Sequence, residues 1–184
     1  MIVLASNSPR RKEILTNNKI DFKIIVSKVD EVIDNNLTAY KIAESLAYQK
    51  AYDVFKDNPD DIVLGFDTIV VLNNKIYPKP KDVEEERLFL NELSNKTHEV
   101  ITGACVISKN KTYVFHEISY VTFKELSTNL IEKYISTNEW VDKAGGYAIQ
   151  GEGKILIESF SGDLDNIIGL PVTTLKDVLK NNKF

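Results

Sequence analysis

The sequence predicts an α/β fold in which helices flank a mixed, twisted sheet. Short apolar runs typical of strands alternate with amphipathic segments typical of helices, an order that is common in α/β proteins. Two long alternating segments, His98–Ser108 and Tyr113–Phe123, predict an antiparallel pair that turns at Lys109-Asn110. Because hairpins occur among these elements, a mixed sheet is favoured over a purely parallel one. No repeat, low-complexity block or linker interrupts the 184 residues, so we expect a single domain over residues 1–184, with two lobes around a central cleft.

The N-terminal segment begins with a strand and a capped helix. Ile2–Ala5 is a short apolar run that predicts a strand. Ser8 supplies an N-cap hydroxyl, and Pro9 suits the first turn of a helix that ends near Asn17-Asn18. Phe22–Val26 predicts a second strand.

A longer helix is expected after Thr38, which can act as its N-cap. Its apolar residues recur at helical spacing, and they are Ile42, Ala43, Leu46, Ala47, Ala51, Val54 and Phe55. Lys50 falls on the same inward stripe, and this position has two interpretations. Either its stem packs at the edge of the stripe while the amine reaches water, or the cation points into a cleft.

The central segment is rich in apolar residues around one carboxylate. Ile62–Phe66 and Thr68–Leu72 predict two strands on either side of Asp67, and Asn73-Asn74 predicts a hairpin turn. Asp82 can cap the next helix, whose first turn carries negative charge that the helix dipole favours. A good helix start explains these three acidic residues, which are Glu84, Glu85 and Glu86.

The last third of the chain combines helices with two further strands. Ser127 is expected to begin a helix that ends near Thr137. After a glycine-rich turn, strands are expected near Tyr147–Gln150 and Lys154–Glu158, and Pro171 is expected to begin the last helix.

Composition excludes several classes of function. The chain has 23 Lys and Arg against 27 Asp and Glu, and this net charge of −4 argues against a dedicated binder of nucleic acid or of an anionic membrane. Cys105 is the only cysteine, so neither a disulfide framework nor a thiolate-rich metal site is expected. With two histidines, a multi-histidine zinc centre is also excluded. No apolar run is long enough for a signal peptide or a membrane span, so we expect a cytoplasmic protein.

The segment from Ser6 to Lys12 is a candidate anion site. A strand ends there, hydroxyl side chains follow, and a helix begins with its free N–H groups facing outward. Arg10 and Arg11 add forked donors that suit phosphate oxygens. The alternative is a capped helix with a solvated basic first turn.

Asp67 is the second candidate, because a carboxylate in the middle of an apolar run is costly to bury without a partner. Either it surfaces at a cleft or it caps a turn between two strands, and the neighbouring Thr68 suits either role. Together with Glu31, Asp67 could hold Mg²⁺, which takes few protein carboxylates and completes its shell with waters and phosphates.

Two further segments are weaker candidates on their own. Prolines on both sides of Lys79 restrict its direction, although such a loop is also a common connector before a helix. In the stretch from Asp142 to Gly151, Tyr147 could stack on a base and Gln150 could present its amide to one. A glycine turn before a strand explains the paired glycines equally well.

Taken together, these segments resemble the Maf family of nucleoside triphosphate pyrophosphatases, whose fold is related to that of inosine triphosphatases. The matching motifs occur in the family's order over essentially the whole chain, and the first and fourth are specific. They are Leu4-Ala5-Ser6-Asn7-Ser8-Pro9-Arg10-Arg11, Asp67-Thr68, Lys79-Pro80-Lys81-Asp82, Asp142-Lys143-Ala144-Gly145-Gly146-Tyr147-Ala148-Ile149-Gln150-Gly151 and Gly169-Leu170-Pro171.

The resemblance implies an activity and a role for each candidate residue. The stretch from Asp142 to Gly151 resembles the branch of the family that acts on dTTP and UTP. The branch that favours 7-methyl-GTP usually has Glu where this chain has Gln150. Asp67 is implied to accept a proton and to share a divalent metal ion, Mg²⁺ or Mn²⁺, with Glu31. The implied specificity residues are Arg10, Thr68 and Gln150, and the implied triphosphate-binding residues are Ser6, Ser8, Arg11, Lys50 and Lys79.

The expected reaction is hydrolysis between the α- and β-phosphates, which yields a monophosphate and pyrophosphate. By resemblance this activity would limit the incorporation of non-standard nucleotides and would be linked to cell-division arrest, with a homodimer as the expected assembly. The alternative is a nucleotide-responsive regulatory binding protein in septum formation that does not turn over its ligand. The chain departs from the common family pattern at Lys124, where Arg is usual, and at Asn138-Glu139-Trp140, which replaces a Gly-Glu-Pro turn.

Overall fold

The computed structural model describes residues 1–182 and 184. Its strands are β1 (Ile2–Leu4), β2 (Lys23–Ile24), β3 (Ile62–Leu72), β4 (Lys75–Tyr77), β5 (Thr97–Ser108), β6 (Lys111–Phe123) and β7 (Ile157–Ser161). Its α-helices are α1 (Pro9–Asn17), α2 (Ala39–Phe55), α3 (Val83–Leu93), α4 (Thr128–Ile135), α5 (Leu164–Ile168) and α6 (Val172–Asn181). Two 3-10 turns, Ala144–Gly146 and Gly151–Leu156, lie between α4 and β7.

These strands form one mixed sheet. Within the described residues it has seven strands in the order β2-β1-β3-β5-β6-β7, and β4 pairs with β3 outside this path. The pairs of β1 with β2 and with β3 are parallel, and the other pairs are antiparallel. The predicted fold class, a mixed sheet flanked by helices, is therefore confirmed.

Helix α2 packs very closely on the sheet. A side chain at Gly65 or Gly103 would place its Cβ 2.2 Å from the carbonyl oxygen of Ala47 or Ala43, so both strand positions need glycine for the helix to approach. This close packing places the side chains of α2 directly over the middle of β3 and β5.

One edge of β3 has a gap in its pairing. Strand β1 pairs with Ile62–Leu64 and β4 pairs with Val70–Leu72, whereas residues 65–69 lack a strand partner on this edge in the part of the chain that the structure describes. The other edge is paired with β5 from Val63 to Val71. Asp67 and Thr68 lie in the middle of the gap, where backbone and side chains are reachable from outside the sheet.

Helix starts and tight turns largely agree with the sequence. The Asp82 carboxylate accepts a bond from the Glu85 N–H at 2.8 Å, and Ser127 caps α4 in the same way through the Leu130 N–H at 3.2 Å. Thr38 occupies the N-cap position of α2 without a side-chain cap bond. Asn73-Asn74 forms the predicted hairpin turn, with positive φ at both residues.

Several predicted strands are corrected. Residues 62–72 form one continuous strand through Asp67, because Asp67 pairs with Gly103 of β5 without interrupting the ladder. The predicted strand Tyr147–Gln150 is wrong, since this segment lies between two 3-10 turns. The strand expected near Lys154–Glu158 begins only at Ile157, after a 3-10 turn, and Phe22–Val26 is reduced to Lys23–Ile24.

Helix α5 was not predicted; its N-cap is Asp163, whose carboxylate accepts a hydrogen bond from the Asp165 N–H. None of the helices in residues 1–182 and 184 is long and apolar enough to cross a membrane.

Candidate active site

A cleft of about 680 Å³ opens at the gap in the pairing of β3. Every residue that the sequence singled out for chemistry lines this one cleft. These residues are Ser6, Ser8, Arg10, Arg11, Glu31, Lys50, Asp67, Thr68, Lys79 and Gln150. Residues from distant parts of the chain thus meet at the gap. Strand β1 ends there and β3 runs through it, and the loop after β4 and the turns before β7 pass beside it.

The floor of the cleft carries an ion pair between Asp67 and Lys50. Lys50 Nζ lies 2.5 Å from Asp67 Oδ1 and 3.2 Å from Glu31 Oε1. The side chains of Asp67 and Lys50 are only 15% and 17% exposed, whereas Glu31 is 41% exposed at the rim. Of the two interpretations of Lys50, the structure shows the second, in which the cation points into the cleft.

Burial raises the pKa of Asp67 above its ordinary value, and Lys50 and Arg11 oppose this rise by favouring the charged form. A carboxylate with a raised pKa is a stronger base, and the neighbouring cations keep it from being permanently protonated. This combination suits proton abstraction from water.

The guanidinium of Arg11 is buried in the wall of the cleft and donates three hydrogen bonds. Its Nε donates to the Gly169 carbonyl at 2.8 Å, its Nη1 to Ser6 Oγ at 3.1 Å and its Nη2 to Thr68 Oγ1 at 3.2 Å. Burial lowers the pKa of Arg11 to about 10, so the guanidinium remains charged at neutral pH. It therefore joins α1, β3 and the α5–α6 loop while it contributes positive charge to the cleft.

The hydroxyl of Thr68 belongs to a chain of buried hydrogen bonds. Thr102 Oγ1 donates to the Asn166 carbonyl at 3.0 Å and lies 2.9 Å from Thr68 Oγ1. A hydroxyl has only one hydrogen, so the hydrogen of Thr102 is committed and Thr68 must donate to Thr102. Thr68 thus turns its lone pairs toward Arg11 and the cleft, and this orientation favours donors and cations as its further partners.

The opposite wall carries a group of cations. Lys143 lines the cleft. Burial is the main cause of the lowered pKa of Lys143, and the positive charges of Arg10 and Lys79 lower it further. Burial also lowers the pKa of Arg10, while the charge of Glu139 opposes this effect. Clustered cations that destabilise one another gain when a polyanion binds between them.

Gln150 is the exposed polar side chain at the end of the segment that begins with Lys143. Tyr147 is only 6% exposed, and its hydroxyl lies 2.7 Å from His98 Nε2. Its ring packs edge-on against Phe123. Tyr147 is therefore a core residue whose ring is not free to stack on a base, as the sequence had suggested it could, and Gln150 remains available to a ligand.

The protein-family model described as Maf-like protein matches residues 1–182 of the chain. The chain belongs to the Maf family.

Curated relatives of this Maf protein are named dTTP/UTP pyrophosphatase. The relative from Pyrococcus furiosus is 52% identical, over 95% of this chain and 91% of its own length. Those from Bacillus cereus strain G9842 and Clostridioides difficile strain 630 are 47% and 46% identical, each over 97% of this chain and over 94% and 93% of their own lengths. Among solved structures, a HAM1 protein from Coxiella burnetii superimposes with a TM-score of 0.56 at 14% identity, over 98% of each chain, a likeness of fold alone.

The two departures from the common Maf pattern lie outside the cleft. Lys124 is exposed, and its backbone N–H bonds to the Leu156 carbonyl. Trp140 is 7% exposed, and its indole N–H donates to the Ile135 carbonyl at the end of α4 at 3.1 Å. Trp140, which stands where the common pattern has proline, is thus a packed core residue tied to the end of α4.

Sequence reasoning missed several residues that shape this Maf site. Lys143 stood inside a motif but was given no role, although it contributes charge to the cleft. Thr102 and Asn166, which orient Thr68, are polar residues at fully buried positions. The one available signal for Thr102 was a hydroxyl residue in the middle of an apolar strand.

The residues near Lys50 fit a divalent metal ion. The Lys50 ammonium stands where two carboxylates, those of Asp67 and Glu31, converge on one positive charge. Among residues 1–182 and 184, no group of three or more His, Cys, Asp or Glu side chains could hold a metal alone. Mg²⁺ at nucleotide sites typically uses one or two carboxylates and completes its shell with phosphates and waters, so this donor set suits it.

Proposed function

We propose that this Maf protein is a nucleoside triphosphate pyrophosphatase that hydrolyses dTTP and UTP to the monophosphate and pyrophosphate. The observation that carries the proposal is a buried carboxylate, Asp67, paired with Lys50 at the floor of a cleft whose walls present further cations. The names of the curated relatives, which are 46–52% identical over nearly the whole chain, supply the substrate class.

The proposed mechanism is attack of water on the α-phosphorus. Asp67 accepts a proton from the water as its oxygen bonds to the α-phosphorus. The bond between the α-phosphorus and the oxygen that bridges to the β-phosphate breaks, and that oxygen leaves with its electron pair as part of pyrophosphate. Lys50, Lys79 and the buried Arg11 neutralise the charge that grows on the leaving group, which is where most of the rate gain is expected.

Asp67 and Glu31 are proposed to hold Mg²⁺ or Mn²⁺ together with the substrate phosphates. The bound ion supplies positive charge to phosphate oxygens, in addition to that of the side chains. Ser6 and Ser8 lie at the start of α1 and are proposed to bind phosphate oxygens together with the free N–H groups of that helix.

Gln150 is proposed to select the base, with Arg10 and Thr68. A carboxamide offers one acceptor and one donor side by side, and uracil and thymine present an N3–H donor beside a carbonyl. A site built around such a pair of bonds rejects bases that leave its polar groups unpaired.

The proposal extends to the protein's setting. A single Maf-like domain over residues 1–184 would act as a homodimer in the cytoplasm, where nucleoside triphosphates are used, with neither nucleic acid nor membrane as a partner. Its cellular role would be to limit the incorporation of non-standard nucleotides, with a link to cell-division arrest.

The decisive experiment is product analysis on a nucleotide panel with Mg²⁺ or Mn²⁺. The panel holds dTTP, UTP, CTP, dATP, GTP and 7-methyl-GTP, and phosphate and pyrophosphate are quantified separately. Monophosphate and pyrophosphate from dTTP and UTP alone support the proposal. The same products from 7-methyl-GTP would place the chain in the other branch. Binding without turnover of any nucleotide would favour the regulatory binding protein instead.

A further inference from the structure

Glu139 lies in the loop after α4, behind the segment that carries Gln150. Its Oε2 accepts a hydrogen bond from the Gly153 N–H at 2.7 Å, and its Oε1 accepts one from the Glu152 N–H at 3.2 Å. These N–H groups belong to the 3-10 turn Gly151–Leu156, and Gln150 is the residue at its N-cap. The carboxylate of Glu139 therefore binds the turn immediately after the proposed base-selecting residue.

The fit between this carboxylate and the turn leaves no spare space. Gly151 has φ +69°, and a Cβ at this position would lie 2.0 Å from Glu139 Oε1. The turn thus depends on glycine twice, once for its left-handed backbone and once for the approach of Glu139. Bonds from backbone N–H groups to a charged carboxylate are stronger than neutral ones, so the backbone after Gln150 is held at a defined position.

The same side chain acts on a second proposed specificity residue. Among the charges near Arg10, that of Glu139 does the most to counter the fall in the Arg10 pKa that burial causes. The charge of Glu139 therefore favours the Arg10 cation, in addition to the bonds that Glu139 makes to the Gln150 turn.

We propose that Glu139 is a positioning residue for nucleotide selection, which holds the turn that carries Gln150. The inference rests on the proposed function and names a further determinant of its specificity. Glu139 does not line the cleft, so it acts through the Gln150 turn without contacting the base. Loss of Glu139 would let the Gln150 turn move. Because misplacement of a recognition group by about 1 Å can cost roughly 10²-fold in rate, we expect this movement to lower the rate on the nucleotide that Gln150 recognises.

The test compares Glu139→Gln and Glu139→Ala with a matched control, Glu152→Gln. Glu152 lies on the 3-10 turn, is exposed and is acidic like Glu139. Only its backbone N–H takes part in the hydrogen bond with Glu139, so its side chain can be changed without removing that bond. For each protein, kcat and KM are measured by pyrophosphate release on dTTP, whose N3–H and neighbouring carbonyl Gln150 is proposed to bind, and on CTP, whose base lacks that N3–H. The selectivity ratio is kcat/KM for dTTP divided by that for CTP, and the melting temperature of each protein is recorded.

The expected result is a selectivity ratio that falls about 10-fold or more in Glu139→Ala, from lost rate on the preferred nucleotide. Glu139→Gln keeps one acceptor oxygen and should lose less, and Glu152→Gln should keep the wild-type ratio. An unchanged ratio in Glu139→Ala, with both substrates slowed equally, would overturn the inference and reduce Glu139 to a structural role.

Glu139→Asp supplies a second variant if Glu139→Ala folds poorly, because it keeps the charge while its shorter side chain withdraws the carboxylate from the N–H groups of Glu152 and Gly153. The same fall in selectivity is expected, and a wild-type ratio would contradict the inference. If the wild type releases no pyrophosphate, the proposed function fails separately. The ratio is then taken from nucleotide dissociation constants, and the expectation for each variant is the same.

Discussion

Asp67 and Glu86 are both carboxyls buried by the fold, and they differ in what surrounds them. Asp67 lies at the gap in the sheet with Lys50 at 2.5 Å and the charge of Arg11 close by. Glu86 is fully buried in the first turn of α3, and neither of its oxygens has a hydrogen-bond partner among the described residues. Its carboxyl lies against Gly146, where a Cβ would come within 1.7 Å of Glu86 Oε2.

This difference decides which carboxyl can do chemistry. Burial alone raises the pKa of Glu86 to about 9, so this side chain is a neutral acid at pH 7. Burial also raises the pKa of Asp67, but cations counter the rise and allow a charged base to persist. A buried carboxyl is thus an indicator of function only when a cation and an open cleft accompany it.

Replacing Asp67 should have the largest effect. We expect Asp67→Asn to lower kcat by roughly 10²- to 10⁴-fold, because an amide cannot accept the proton of the attacking water. Nucleotide binding should persist, since the phosphate-binding cations stay in place. Single-turnover assays for pyrophosphate, together with calorimetric binding of dTTP, measure the two effects. An unchanged kcat would remove Asp67 from the chemistry, and Asp60→Asn, which changes an exposed carboxylate, serves as the control.

Removing the cation beside Asp67 should have the next largest effect. Lys50→Met leaves the carboxylate buried without its partner, so the pKa of Asp67 rises further. Because the base works in its charged form, kcat/KM rises with pH through this pKa, and the acid limb of the profile should move to higher pH. At neutral pH we expect a loss of roughly 10²-fold, in the range that general-base catalysis supplies.

The pH profile of kcat/KM measures this effect, with Lys50→Arg as the matched control that keeps a positive charge. Its acid limb should stay near that of the wild type. If Lys50→Met slows the enzyme equally at every pH, Lys50 contributes phosphate binding and does not tune Asp67.

The sequence predicted the sheet where local pattern and pairing agree. The alternation of His98–Ser108 and Tyr113–Phe123 is satisfied by mutual pairing, so β5 and β6 appear nearly as expected. The alternation of Tyr147–Gln150 looks the same, yet glycines with positive φ on both sides turn this segment away from the sheet. Periodicity reports which residues become buried, and it does not report whether a neighbouring strand edge is within reach.

The candidate site could be assembled from the sequence because its residues stand in short motifs at element ends. What the sequence could not give is the partner of each side chain. The pairing of Lys50 with Asp67 depends on how closely α2 packs over Gly65 and Gly103, a distance set by the tertiary structure. For the same reason, three adjacent glutamates looked equivalent as a helix start, although Glu84 is exposed and Glu86 is buried.

Replacing Glu86 should change stability and leave catalysis unaffected. Its pKa is about 9 in the folded protein and about 4.5 in an unfolded chain, so the folded state holds a proton that the unfolded state loses between these values. The stabilising contribution of this proton is fully present below pH 4.5 and disappears as the pH rises through 9, at about 1.4 kcal/mol per pH unit. From pH 5 to pH 7 this group alone should therefore lower the free energy of unfolding by about 3 kcal/mol.

Glu86→Met removes the titration and fills similar space, so the variant should be more stable than the wild type by an amount that grows with pH. Urea unfolding between pH 5 and pH 8.5 measures the difference. Glu86→Gln is the control, because it lacks the titration but keeps unpaired polar atoms. It should share the pH slope of Glu86→Met and be less stable than that variant at every pH, by about 1–3 kcal/mol for a buried polar group. Parallel pH profiles for the wild type and Glu86→Met would mean that Glu86 is charged or reaches water in the folded protein, and its contrast with Asp67 would then disappear.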